Sequence, residues 1–233
     1  MIMWDWTAFE NTGLAALLGT GFGALVAFWI EDRKRRQRLE DTRVDATNVA
    51  IFALSRAFRD LESFRRERIE PVRNSPLRWY SMVPGQFHAL PPAFDASALS
   101  FLFETNKADL PARVQWDLDR YVAVRAEIRD RYLIHVEQLQ PRVERFQVSA
   151  QVTEQMMVDM AGARIHQTLR TLTNNIITLV DELVPSLQRT TLELRGAALA
   201  EYPNRKIIRF EPIAPDADAP VPVPPSARPL PRF

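Results

Sequence analysis

From residue 11 to residue 30 the chain reads NTGLAALLGTGFGALVAFWI without a charge, and Arg33, Lys34, Arg35, Arg36 and Arg38 follow almost at once. Twenty helical residues rise about 30 Å, the thickness of a bilayer's hydrocarbon core. The pattern therefore predicts a single transmembrane helix over 11–30, after a short N-terminus over 1–10. A secretory signal peptide fits less well, because the flank before the run holds Asp5 and Glu10 and no Lys or Arg. Basic residues are retained on the cytoplasmic side of a span. The expected address is thus the plasma (inner) membrane, with the N-terminus outside and the C-terminal domain in the cytoplasm. Trp4, Trp6 and Phe9 at one edge, with Phe28 and Trp29 at the other, fit aromatic belts at both interfaces.

Small residues recur every four positions within the run: Ala15, Gly19, Gly23 and Ala27. On a helix they form one stripe, and a stripe without bulk lets a second helix approach closely in lipid. This predicts a homo-oligomer paired through the transmembrane helix. The basic cluster of Arg33, Lys34, Arg35, Arg36 and Arg38 reads as a topology signal with lipid-headgroup contact, its field weakened by Glu31, Asp32, Glu40 and Asp41.

Beyond the membrane the apolar spacing is helical throughout. Neither Gly nor Pro occurs between Ala24 and Glu70, and Ile51, Leu54, Phe58 and Leu61 form a stripe on a long helix within 31–70 that should stop before Pro71. Five prolines over 71–94 predict a loop, and its Trp79, Tyr80, Phe87 and Phe94 predict that this loop packs on the helices. Asp95 is placed to cap a short helix with Leu99, Leu102 and Phe103 inward. A helix from about Pro111 to Gln140 carries Val114, Leu118, Tyr121, Ile128, Tyr132 and Leu139 on a seam that Arg125 and His135 share. A longer helix is expected over 152–184, with Gly162 filling one place of a seven-residue repeat; Pro185 should interrupt it before a last helix to Tyr202. The expected class is all-α: the transmembrane helix, then an antiparallel helical bundle over 95–202 with the helix of 31–70. A coiled coil between subunits would give the same repeat. Over 203–233 the chain holds nine of its seventeen prolines, which predicts an extended, disordered tail in which RPLPR is a weak groove-binding pattern.

Composition narrows the chemistry. A net charge of +1 gives no reason to expect nucleic acid as a partner. With no cysteine, disulfides and thiol chemistry are excluded. Outside the apolar run the glycines are Gly85, Gly162 and Gly196, each isolated, so no phosphate-cradling loop is expected. His88, His135 and His166 are unclustered, and Asp159, His166 and Glu182 form no evident triad. No catalytic, cofactor-binding or metal-binding residue and no cofactor is assigned. The expectation is a membrane-anchored helical scaffold or sensor, not an enzyme, acting through self-association and a protein partner that the sequence does not identify. Two alternatives stand beside it: an oligomeric effector that perturbs membranes in stress or antiviral defence, and an enzyme with a site on polar helix faces.

Overall fold

The computed structural model describes residues 6–85, 87, 94–105, 107–145 and 153–211, with side chains from residue 23 onward except at position 104. The described residues are all-helical, with no strand among them. Helix α1 (Trp6–Phe64) passes into a π-helical turn (Arg65–Ile69) and a 3-10 turn (Glu70–Val72), and the short α2 (Arg78–Ser81) follows. A 3-10 helix (Ala96–Glu104) precedes α3 (Leu110–Leu133), which continues through a second π-helical segment (Ile134–Leu139) into α4 (Gln140–Arg145). Helices α5 (Glu154–Ala161) and α6 (Ala163–Glu201) complete the order. The chain divides into two compact units, Met1–Asp45 and Ala46–Phe233.

In the first unit, residues 33–41 are helical, as are residues 23–30. Among the described residues no helix is long and apolar enough to cross a membrane. Residues 23–30 alone would rise only about 12 Å. The side chains of residues 11–22, which make up the rest of the expected span, lie outside the described set.

The second unit is a helical bundle. The expected stripe is its core: Ala50, Ile51, Ala53, Leu54, Ala57, Phe58 and Leu61 are all buried on α1. Facing them are Val114, Leu118, Tyr121, Val124 and Ile128 of α3 and Ile176, Val180, Leu183, Val184, Leu187 and Leu194 of α6. Each such aliphatic side chain removed from water contributes about 1.5–3 kcal/mol. Cross-links between α3 and α6 descend in one chain as they rise in the other. Arg113 meets Glu193 at 2.6 Å, Asp117 accepts from Thr190 at 2.7 Å and Ser186 at 2.8 Å, and Arg120 meets Glu182 at 2.7 Å. These helices are therefore antiparallel. The part of α1 from Ala46 on also opposes α6, since Asn48 contacts Lys206 and Ile208 whereas Arg73, just past the helix, contacts Asp181. It follows that α1 and α3 run parallel, contrary to the expected up-down order. Strict alternation needs short connections, and the stretch between these two helices returns along the bundle instead, so that Phe101 rests on Tyr202 with ring centroids 6.0 Å apart.

Three local expectations are corrected. Proline does not end α6 at Pro185, nor does α3 with its continuation end before Pro141. Pro185 is exposed while Leu183, Val184 and Leu187 around it are buried, and that burial outweighs the roughly 3 kcal/mol cost of proline inside a helix. Gly162, in contrast, does not fill a place in a helical repeat. It separates α5 from α6 with φ +80° and ψ 148°, a conformation that suits glycine. Its breaking role is reinforced by Arg142, whose Nη1 donates to the carbonyl of Ala161 at 2.9 Å. Gly162→Ala should cost about 1–3 kcal/mol for this backbone conformation alone, read as a lower urea midpoint with an unchanged slope. Third, Asp95 does cap the next helix, accepting from the Ser97 amide at 2.9 Å, but the helix is 3-10. Residues three apart eclipse in that geometry. Leu99 and Leu102 accordingly point inward together, and Phe103 turns out, 58% exposed.

The proline-containing segment over 71–94 packs as expected where it is described. Trp79 is 1% exposed and Met82 is fully buried. Trp79 joins Leu139, Met157, Met160, Ala161, Ile165 and Leu169 in a cluster at one end of the bundle. At the opposite end residues 206–211 lie outside any helix. Asn48 donates to the Lys206 carbonyl at 3.1 Å and accepts from the Ile208 amide at 2.9 Å, while Phe210 packs edge-on against Phe58 at 5.3 Å. The remaining tail over 212–233, with RPLPR, lies outside the described residues.

Candidate functional site

Of the expected pairing stripe, Ala15 and Gly19 lie outside the residues whose side chains are described, and Gly23 and Ala27 lie within them. Both are exposed, and a Cβ added at Gly23 would meet nothing within 4 Å. Leu25, Val26, Phe28, Trp29 and Ile30 are also exposed, Phe28 by 72% and Trp29 by 62%. At about 100° per residue these five cover roughly 200° of the helix circumference, and Gly23 and Ala27 sit in the gap. A helix that rests on a protein core needs an apolar stripe of roughly 100°. The girdle here is wider than that.

The five basic residues Arg33, Lys34, Arg35, Arg36 and Arg38 are all exposed. They are not equivalent. Arg33 lies 5.7 Å over the Trp29 ring, and Arg36 pairs with Asp32 at 2.8 Å. Lys34, Arg35 and Arg38 instead share one open face of the helix with Ala27, Ile30, Glu31, Leu39 and Thr42.

In the bundle the most constrained polar group is Arg131, 3% exposed. Its Nε donates to Thr173 Oγ1 at 2.9 Å, and one Nη donates to the carbonyls of Trp79 and Met82 at 3.1 and 2.8 Å. Among the described residues no carboxylate joins this set, and burial pulls its pKa down to about 10. The guanidinium remains charged at neutral pH and is stabilised by these dipoles. Beside it the π-helical segment carries His135, whose pKa is depressed to about 4 by burial and then by the Arg131 charge. His135 stacks on Tyr80 at 6.3 Å, and His166 meets Trp79 edge-on at 4.8 Å. Trp79 Nε1, His135 Nδ1 and His166 Nε2 are buried atoms without a hydrogen-bond partner among the described residues. The sequence placed His135 on the α3 seam but gave no sign of Arg131, because its partners are a remote threonine hydroxyl and two backbone carbonyls of a segment that reads as loop.

A second polar group surrounds Tyr121, which donates to Asp60. Burial first, and that bond second, push its phenol above the usual range. Arg125, the other polar seam residue, donates to the Phe87 carbonyl at 2.9 Å and so ties the 71–94 segment to α3. These groups fasten connections to helices. Among the described residues no three His, Asp or Glu side chains gather as a metal site. No protein-family model matches the chain, and searches of curated proteins and of solved structures find no match.

Proposed function

We propose that this chain is a single-pass membrane protein whose helical domain serves as a scaffold or sensor through protein–protein contacts and self-association, with no catalysis of its own. The N-terminus lies outside the plasma (inner) membrane and the bundle lies in the cytoplasm. The observation that carries this reading is the exposed girdle of Leu25, Val26, Phe28, Trp29 and Ile30, continuous in sequence with the uncharged residues before it. In water such a girdle would leave several large apolar side chains uncovered, each costing about 1.5–3 kcal/mol relative to burial. In lipid it costs nothing, and the basic residues that follow set the side.

Two measurements test the reading. Sodium carbonate should leave the protein in the membrane pellet; release into the supernatant would end it. The chain has no cysteine, so single cysteines report sidedness without a background. A membrane-impermeant maleimide should label Met3→Cys on intact cells, and Glu211→Cys only after permeabilisation; the reverse result inverts the topology. For self-association, Gly19→Ile combined with Gly23→Ile should lower the signal of a membrane two-hybrid assay severalfold, because bulk on the stripe separates the helices. An unchanged signal would remove the pairing claim and leave the anchor standing.

A further inference from the structure

We propose that the face formed by Lys34, Arg35 and Arg38 binds the phosphate of an anionic glycerophospholipid, with the apolar part of that lipid along Ile30. This rests on the membrane reading above and adds a ligand to it. The basic cluster is divided in two by what its members touch. Arg33 and Arg36 are engaged within the helix by Trp29 and Asp32. Lys34, Arg35 and Arg38 point to the other side, share one open face, and have no ion pair within the described residues. The single carboxylate on that face is Glu31, so the face carries three cations against one anion.

Charge complementarity identifies the occupant. A second copy of the chain laid against the same face would bring six cations to two carboxylates, which repels. A phosphate diester offers the negative oxygens that guanidinium and ammonium donors recognise. The face is also graded. Ile30 comes first in sequence and the cations afterwards, the order in which acyl chain and headgroup succeed each other across a leaflet. Phosphate between two helices paired through Gly23 and Ala27 would also offset their mutual repulsion.

The test uses the full-length protein in mild detergent, given equal amounts of phosphatidylglycerol and phosphatidylcholine, with bound lipid read by native mass spectrometry. The wild type should retain phosphatidylglycerol at least tenfold over phosphatidylcholine. Arg35→Gln with Arg38→Gln should reduce that preference about tenfold. Arg33→Gln with Arg36→Gln removes the same charge and should reduce it less than threefold. Equal retention of the two lipids, or equal loss in the two double variants, overturns the proposal. So does full displacement of phosphatidylglycerol by 10 mM inorganic phosphate, which would show that a free anion satisfies the face. Carbonate extraction separates the failures: a protein that stays in the pellet but shows no lipid preference loses this inference alone, whereas release from the pellet removes the membrane reading.

Discussion

Arg131→Ala is expected to cost about 3–5 kcal/mol of stability, from buried acceptors left unsatisfied at about 1–3 kcal/mol each together with the void the side chain leaves. The substitution strips the donors from three acceptors at once: Thr173 Oγ1 and the carbonyls of Trp79 and Met82. The truncated side chain leaves a void among Trp79, Met82 and Thr173, each buried. For a domain of this size the loss corresponds to a fall in Tm of about 10 °C. Arg131→Lys keeps the charge but should recover less than half of the loss. Its compact ammonium cannot span a hydroxyl on α6 and two carbonyls on the 78–82 turn in the way a planar fork does. Arg131→Met keeps the volume and removes the desolvated charge, so it should fall between the wild type and alanine. Urea unfolding followed by tryptophan fluorescence measures all three. A cost below about 1 kcal/mol for alanine would mean that the turn is held by its apolar contacts, chiefly Trp79, and that the guanidinium is incidental.

Spacing in the sequence was enough for the helices and for most of the faces they bury. Ile51, Leu54, Phe58 and Leu61 read as one stripe and lie in the core. Features that depend on backbone geometry or on remote partners were not legible. Gly162 fits a seven-residue repeat by position, yet its positive φ breaks the helix. Pro185 and Pro141 carry the residue type that stops helices, yet burial on both sides of Pro185 overrides the local penalty. Phe103 falls on the inward face of an α-helix and turns outward in a 3-10 helix. Arg131 resembles any arginine on a solvated helix face, because nothing in the adjacent residues announces the carbonyls that receive it. The candidate site divides in the same way. The uncharged run and the basic residues after it are plain in the letters of the chain. Arg33 and Arg36 stand four residues after Trp29 and Asp32, a pairing that helical spacing carries, whereas Arg35 stands four after Glu31 without an ion pair among the described residues, a matter of rotamers.

The π-helical segment at Ile134–Leu139 has a further consequence, because it sets His135 beside the buried Arg131 charge and against the Tyr80 ring. Lowering the pH from 7 to 5 is therefore expected to cost the bundle about 2 kcal/mol through this one imidazole. The sign follows from the shift. The fold holds the His135 pKa near 4, against 6.5 in the unfolded chain. Below pH 6.5 the unfolded chain takes up a proton that the folded protein does not. This contribution is fully present above 6.5, declines as the pH falls, and becomes constant below about 4. His135→Phe keeps a planar ring against Tyr80 and removes the titration. Its stability should fall by less than 0.5 kcal/mol between pH 7 and pH 5, by urea unfolding at each pH. Glu127, whose pKa burial raises first and Asp130 second, gains a proton with the opposite effect on stability and is common to both proteins, so it cancels in the comparison. An equal acid loss in the wild type and the variant would show that His135 titrates as it would in water, and that the ring stack with Tyr80 opens readily to solvent.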